Sequence, residues 1–193
     1  AYDFTKTHIL QSAEDSLRNL QTDYLDVMLL HRPDLLMDPD EVAEAFELLY
    51  SSGKVRSFGV SNFTPSQIKL LQSTVPVGVH QLEISVKDVS AFDDGRLDQC
   101  TLDGIVPMAW SPLGGGNLPE GVASVLGSLA SEFGVTPQAI ALAWLLQHPA
   151  GILPVIGTTK AENLEAAQTA LNIKLDRQQW YTIYQAATGI RLP

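Results

Sequence analysis

The chain has 193 residues, enough for one domain with a substantial core, and 45% of them are hydrophobic against 18% charged. A net charge of −10 opposes binding to nucleic acid or to an anionic membrane, the single cysteine, Cys100, forbids an internal disulfide, and no Cys/His spacing suits zinc. No apolar run reaches membrane-spanning length and no basic-then-apolar leader opens the sequence, so a metal-free cytoplasmic protein is expected.

Taken in order, Thr5 to Leu20 reads as an amphipathic helix, with Ile9, Ala13, Leu17 and Leu20 on one stripe and Thr5 or Thr7 as N-cap. Leu25 to Leu30 is an apolar run of strand length that stops at His31-Arg-Pro33. Side chains alternate along a strand, so Leu25, Val27, Leu29 and His31 share a face, which puts an imidazole at the C-terminal end of a buried strand. In parallel α/β folds ligands bind at that end; the plainer alternative is a His that bonds a neighbouring loop. Asp38-Pro39-Asp40-Glu41 predicts an N-cap, a first-turn Pro and a capping-box Glu for a helix with Val42, Ala45, Phe46 and Leu49 inward, stopping at Gly53. A strand over Val55 to Val60 runs into Ser61-Asn62-Phe63, and Thr64-Pro65-Ser66-Gln67 opens a helix carrying Ile68 and Leu71.

Val79 to Ile84 is the third predicted strand, with Gln81 and Glu83 alternating against His80, Leu82 and Ile84. After a polar stretch and a weak helical segment around Leu97 to Leu102, a fourth strand over Ile105 to Trp110 enters the loop Ser111-Pro-Leu-Gly-Gly-Gly116. Val122, Val125, Leu126, Leu129 and Phe133 mark a helix ended by Gly134, and Thr136-Pro137-Gln138 caps another through Leu146 that buries Trp144. Ile152 to Ile156 is the fifth strand, followed by Gly157-Thr-Thr159 and a capping box from Thr159 to Glu162 for a helix bearing Leu164, Ala167 and Leu171. Asp176 to Gln179 caps a last helix with Trp180, Ile183 and Tyr184 on one face.

Strands alternating with helices in this way mean a parallel sheet with helical crossovers, either open and doubly wound or part of a (β/α)8 barrel. No G-x-G-x-x-G follows any strand, and the triplet Gly114 to Gly116 serves equally as a phosphate loop or a flexible connection. Asp38, Asp40, Glu41 and Glu162 read as helix-start residues, and no hydrolytic acid–His–nucleophile order stands out. What collects at the strand ends is His31, Ser61-Asn62, Gln81, Trp110-Ser111 and Gly157-Thr158. Imidazole, amides, hydroxyls and an aromatic ring suit a planar, amide-bearing ligand such as nicotinamide, its ring stacked on Trp110.

The chain resembles the aldo-keto reductase family, in its bacterial predicted-oxidoreductase branch. The resemblance rests on Thr22-Asp-Tyr-Leu-Asp26 with His31-Arg-Pro33, Gly53-Lys-Val-Arg-Ser-Phe-Gly-Val-Ser-Asn-Phe63, Gln81-Leu-Glu83, Ala109-Trp-Ser-Pro-Leu-Gly114, Thr136-Pro-Gln-Ala-Ile-Ala-Leu-Ala-Trp144 and Pro154-Val-Ile-Gly-Thr158. It implies an α/β fold of (β/α)8 TIM-barrel type, of which this chain, a single domain over 1–193, supplies about the last five strands and their helices. It implies an NAD(P)H-dependent enzyme that reduces aldehydes or ketones to alcohols. His31 then orients the substrate carbonyl, and Ser61, Asn62 and Gln81 hold the nicotinamide carboxamide. Trp110 stands where the family has a stacking Tyr; Ser111, Leu113 and Gly114 match the pyrophosphate loop; Gly157, Thr158 and the helix start after them match the segment around the adenosine ribose. On their own, Asn62 also reads as a turn residue, Gln81 as a strand residue pairing with a loop, and Trp110 as core.

Two departures bear on the cofactor. Asn163 stands where many NADPH-preferring relatives carry an Arg that clamps the 2′-phosphate, with Lys160 as a point-charge substitute, so NADPH is expected and NADH is the alternative. His80 replaces the Asn that usually precedes the carboxamide-binding Gln, a local packing change. The family's proton-donor Tyr, with its Lys and Asp, has no counterpart here: Tyr24 starts a strand at the end opposite His31, and neither Lys54 nor Lys87 lies in a matching motif. Opening on Ala1-Tyr-Asp-Phe without Met, the sequence reads as the later part of a barrel that needs eight strands and roughly 250 residues. Such a piece is expected to be catalytically incomplete and to self-associate through exposed barrel edges. The alternative reading is a non-catalytic nucleotide-binding or regulatory module on the same scaffold, like that used by potassium-channel subunits.

Overall fold

Thr5 accepts a hydrogen bond from the His8 N–H and so starts α1, Lys6–Leu20, in a computed structural model that describes residues 2–191; Ala1, Leu192 and Pro193 lie outside the described residues. The elements that follow are β1 (Met28–Leu30), α2 (Pro39–Ser51), β2 (Phe58–Ser61), α3 (Pro65–Gln72), β3 (Val79–Glu83), α4 (Arg96–Asp103), β4 (Val106–Trp110), α5 (Glu120–Phe133), α6 (Pro137–Leu146), β5 (Leu153–Pro154), α7 (Ala161–Gln168) and α8 (Arg177–Thr188). Strands alternating with helices make this an α/β chain of TIM-barrel type. It divides into two compact units: the first runs to Gln81 and takes in Leu102–Ile105, and the second comprises Leu82–Thr101 and the chain from Val106 onward.

In the first unit β1 pairs in parallel with β2, Leu30 opposite Val60, and β2 with β3, Val60 opposite His80 and Ser61 opposite Gln81. Ile9, Ala13 and Leu17 of α1, Val42, Ala45, Phe46 and Leu49 of α2, and Ile68 and Leu71 of α3 are buried as their periodicity predicts. Leu20 departs from its stripe and is 65% exposed, because the helix ends there at Gln21 in the left-handed conformation. The strand predicted over Leu25 to Leu30 keeps only its last three residues. Leu25 makes an isolated bridge to Val55, and the ladder lapses at Asp26 and Val27, where Asp26 turns out to Arg56 at 3.0 Å. The buried face of β1 is also the opposite one: Leu30 is buried while Val27 and His31 are exposed. Leu29 finds room only because Gly59 faces it, where an added Cβ would come within 2.6 Å of Leu29 Cδ2 and 2.4 Å of the Val79 carbonyl. Likewise β2 starts at Phe58, since Val55 is spent on the bridge to Leu25.

Helix caps follow the sequence in most places. Thr64 with Gln67 and Asp176 with Gln179 form complete capping boxes, Asp38 accepts from the Asp40 N–H, and Thr136 from the Ala139 N–H. Glu41 does not close a box; its carboxylate accepts instead from the Lys6 N–H at 3.1 Å, tying α2 to the start of α1. The box expected at Thr159 is absent as well, because α7 begins one residue later with Lys160 as an uncapped N-cap and Thr158, not Thr159, supplies the local hydroxyl.

In the second unit β4 pairs in parallel with β5, Met108 opposite Leu153. The strand predicted over Ile152 to Ile156 shrinks to two residues because Pro154 has no N–H to donate; the Val155 N–H still reaches the Ala109 carbonyl at 2.8 Å. Its core gathers Leu82, Ile84, Ala109, Leu126, Ile140, Trp144, Ile152 and Ile183. Seven consecutive residues of α6, Ala139 to Leu145, are buried, so this helix has apolar neighbours all round. Trp144 and Trp180 stack at 5.1 Å and each indole N–H donates to the other's backbone carbonyl, at 3.1 and 3.0 Å. Leu164 and Leu171, expected inward, are 46% and 70% exposed, since α7 gives way after Gln168 to a 3-10 turn over Thr169–Asn172 that shifts the face presented. No single helix among the described residues is long and apolar enough to cross a membrane.

Candidate active site

In the first unit the strand register itself assembles the polar cluster. Ser61 ends β2 only 2% exposed, and Gln81 stands opposite it on β3, half-buried. Asn62 follows with φ 60°, a left-handed conformation that Asn tolerates better than most residues. Its N–H donates to the Gln81 carbonyl at 2.9 Å and its side-chain amide donates to Ser61 Oγ at 2.9 Å. A hydroxyl and two carboxamides are thereby brought together. Leu30 pairs with Val60, so His31 and Ser61 are the residues that come next along the chain after that pair. His31 is exposed, whereas His80 on the next strand is fully buried among core residues, consistent with a packing role.

Tyr24 and Lys54, in the same unit, are engaged otherwise. The Arg56 guanidinium lies 3.7 Å over the Tyr24 ring, and the Lys54 ammonium bonds the Glu14 carboxylate. The unit also has a cavity of about 850 Å³ lined by Phe46, Leu48, Phe58, Val75, Val77 and Gly78. It opens at the N-terminal ends of β2 and β3, away from His31, Ser61 and Gln81, and its lining includes none of the candidate catalytic or cofactor-binding residues.

The second unit holds a separate cavity of about 740 Å³ at the C-terminal ends of β4 and β5, and its lining includes Trp110, Ser111, Leu113, Gly157, Thr158 and Asn163. Of the residues expected here, Gly114 and Lys160 stand outside the lining: Gly114 is buried beneath the loop and Lys160 is exposed. Ser111 takes φ 49°, and Gly114, Gly115 and Gly116 take φ 62°, 69° and 77°, so the chain leaving β4 coils through left-handed backbone that only glycine adopts freely in series. Thr158 Oγ1 accepts from the Lys160 N–H at 3.2 Å and from the Asn163 side-chain amide at 3.0 Å, which presets the far wall.

Sequence reasoning missed the wall contributed by helices. Thr136, Pro137 and Gln138 at the start of α6, with Ala141 and Leu142 one turn on, line the cavity. The signal that could have found them is the cap itself, Thr136-Pro137-Gln138, which marks a helix N-terminus whose positive end favours an anion. A half-buried indole, hydroxyls, an amide and this helix start suit an elongated ligand with a flat ring and a phosphate, and the volume lies in the usual range for ligand pockets. Among the described residues no group of three or more His, Cys, Asp or Glu side chains could hold a metal ion.

Comparison with known proteins identifies the family. The model of the aldo/keto reductase family matches residues 1–188. The uncharacterized oxidoreductase YcsN of Bacillus subtilis is 46% identical over 202 residues, covering 100% of this chain and 67% of its own length. A thermostable aldo-keto reductase, Tm1743, solved with the inhibitor epalrestat, superposes with a TM-score of 0.90 at 29% identity, over 95% of this chain and 67% of its own. An aldo/keto reductase from Klebsiella pneumoniae, solved with NADP and acetate, superposes with a TM-score of 0.83 at 30% identity, over 91% of this chain and 63% of its own. The chain thus spans about two thirds of the length of the proteins it matches. Its strand-end polar groups, its parallel α/β architecture and these matches together make it a member of the aldo/keto reductase family.

Proposed function

We propose that residues 1–193 form the C-terminal portion of one aldo-keto reductase barrel domain, and that the activity they serve is NAD(P)H-dependent reduction of aldehydes or ketones to alcohols in the cytoplasm. The observation that carries this reading is the cavity lined by Trp110, Ser111, Leu113, Gly157, Thr158 and Asn163. A neighbour solved with NADP supports the choice of cofactor. The residues present fit a nicotinamide dinucleotide. Trp110 offers a ring face, the loop from Ser111 through Leu113 and Gly114 with the positive end of α6 suits a pyrophosphate, and Gly157, Thr158 and Asn163, with the exposed Lys160 beside them, border the adenosine end. Bound there, the dinucleotide supplies the hydride.

The chain's own groups then act by orientation. In the first unit, Ser61, Asn62 and Gln81 supply a hydroxyl and amides of the kind a carboxamide pairs with. The exposed imidazole of His31 donates a hydrogen bond to the carbonyl oxygen and aligns it. Asn163 is a neutral hydrogen-bonding group at the adenosine end, so NADPH is favoured over NADH only by Lys160. Titration of the chain with NADPH and with NADH, followed by quenching of Trp110 against a Trp110→Phe control, tests the reading. Saturable quenching that the control loses is the expected result, and no quenching by a folded chain would refute it.

A non-catalytic nucleotide-binding or regulatory module is the second reading. It is favoured by the state of two first-unit groups that could carry a proton, Tyr24 under Arg56 and Lys54 on Glu14. The chain by itself is therefore expected to turn over no carbonyl, and single-turnover reduction by the purified 193-residue chain would overturn that expectation. The same proposal includes self-association through exposed apolar residues in and beside the strands, such as Val27, Val106 and Leu153, each at least 40% exposed, which sedimentation velocity would detect.

A further inference from the structure

Lys87 has no place in the motifs above, yet its side chain lies on the glycine loop. A methyl group built on Gly114 would stand 3.0 Å from Lys87 Cβ, 3.4 Å from Lys87 Cδ and 3.0 Å from Leu118 Cδ2. The alkyl stem of Lys87 and the Leu118 methyl therefore cover the face of Gly114 from which a side chain would project. Gly114 is buried by this packing although Gly115 and Gly116 on the same loop are exposed and line the cavity.

The other end of the contact is anchored. Ser85 is fully buried, and its hydroxyl accepts from the Lys87 N–H at 3.0 Å and the Asp88 N–H at 3.1 Å, while its own N–H donates to the Asp88 carbonyl at 2.9 Å. That closes a tight turn directly after β3 and fixes the backbone from which the Lys87 stem extends. On the loop side, the Gly114 N–H donates to the Ser111 carbonyl at 2.8 Å and the Gly116 N–H to the Leu113 carbonyl at 3.2 Å. Three consecutive glycines with positive φ carry a large conformational entropy, so a loop of this kind holds one shape only where something outside it restrains it.

We propose that Lys87 is a positioning residue for the cofactor: its alkyl stem, held by the Ser85 turn, latches Gly114 and keeps the loop from Ser111 to Gly116 in the conformation that receives the dinucleotide pyrophosphate. This rests on the proposed function for the identity of the ligand, but the latch itself does not. The stem acts by packing, so Lys87→Met preserves it and Lys87→Ala removes all of it beyond Cβ, including the Cδ that lies over Gly114, with Lys87 exposed enough that neither change unfolds the chain.

Two measurements separate the parts. In the ligand-free chain, amide hydrogen exchange at Gly114 and Gly116 should quicken about tenfold in Lys87→Ala and stay within twofold of the parent in Lys87→Met. In stopped-flow displacement, NADPH should leave Lys87→Ala about fivefold faster than the parent or Lys87→Met. Unchanged exchange and unchanged release in Lys87→Ala would overturn the latch. A Lys87→Met chain as impaired as Lys87→Ala would also overturn it, because the ammonium and not the stem would then be at work. Faster exchange without any NADPH binding by the parent chain would leave the loop contact standing, refute the function proposed above, and refute the positioning role with it.

Discussion

In the first unit Ser61, Asn62 and Gln81 are held by strand pairing: the ladder that sets Ser61 opposite Gln81 also sets the Asn62 N–H on the Gln81 carbonyl. In the second unit the lining groups sit on loops and helix starts. Their positions depend on left-handed backbone at Ser111 and Gly114 to Gly116 and on side chains that pack from elsewhere in the unit. A ladder spreads its restraint over several backbone hydrogen bonds and resists change cooperatively. A glycine loop is restrained by a few side-chain contacts and yields one at a time. The first arrangement suits groups whose orientation must be set; the second suits a segment that yields locally.

Substitutions can break this comparison in either unit. The largest effect is expected from Trp144→Ala, which removes a fully buried indole, its stacking on Trp180 and the bond from its own indole N–H to the Trp180 carbonyl. It should cost about 4 kcal/mol in urea unfolding followed by fluorescence. All three tryptophans, Trp110, Trp144 and Trp180, lie in the second unit, so the probe reports there. Gly59→Ala attacks the ladder of the first unit, since its Cβ would meet the Val79 carbonyl at 2.4 Å; about 3 kcal/mol is expected by circular dichroism. A loss below about 1 kcal/mol would mean that the strands part easily and that the contrast between ladder and loop is wrong.

Smaller changes sharpen it. Asn62→Gly keeps the left-handed backbone and deletes only the amide, so stability should hardly move while NADPH affinity falls about fivefold, the value of one hydrogen bond. Unchanged affinity would reduce Asn62 to a turn residue. The smallest effect is a pH dependence in the second unit. Burial pushes the His148 pKa below its ordinary value, more than the Asp98 carboxylate opposes it. The ring packs edge-on to Phe92 at 5.0 Å and tilted to Trp180 at 6.1 Å, and its Nδ1 accepts from the Ala150 N–H at 3.2 Å. The folded state therefore prefers the neutral ring. Its contribution is present in full above about pH 6.5 and is lost as the pH falls through the lower folded value. Urea midpoints read from tryptophan emission between pH 7.5 and 5.5 should drop in the parent chain and drop less in His148→Gln.

How much was legible beforehand differs between the units for the same reason. Residues at strand ends are readable as the polar groups that follow an apolar run, as His31 and Ser61 do, or that alternate within one, as Gln81 does; the face each presents is not, as β1 shows. Thr64–Gln67 and Asp176–Gln179 were readable because a capping box is a local, four-residue interaction. The failures share the opposite property. Glu41 looked like a local cap and was taken by the Lys6 N–H, 35 residues away in sequence. The outward face of β1, the cavity wall from Thr136 to Gln138 and the Lys87 stem on Gly114 likewise depend on partners distant in the chain.

The amino-acid sequence by itself determined the alternation of strands and helices, the family and the residue types at the strand ends, because these follow from periodicity, caps and contiguous motifs. Only the tertiary structure decided which face of β1 is buried, that Thr158 and not Thr159 organises the start of α7, and that a lysine outside every motif lies against the glycine loop. Those outcomes depend on which distant groups compete for the same space and the same hydrogen bond, and no local pattern encodes that competition.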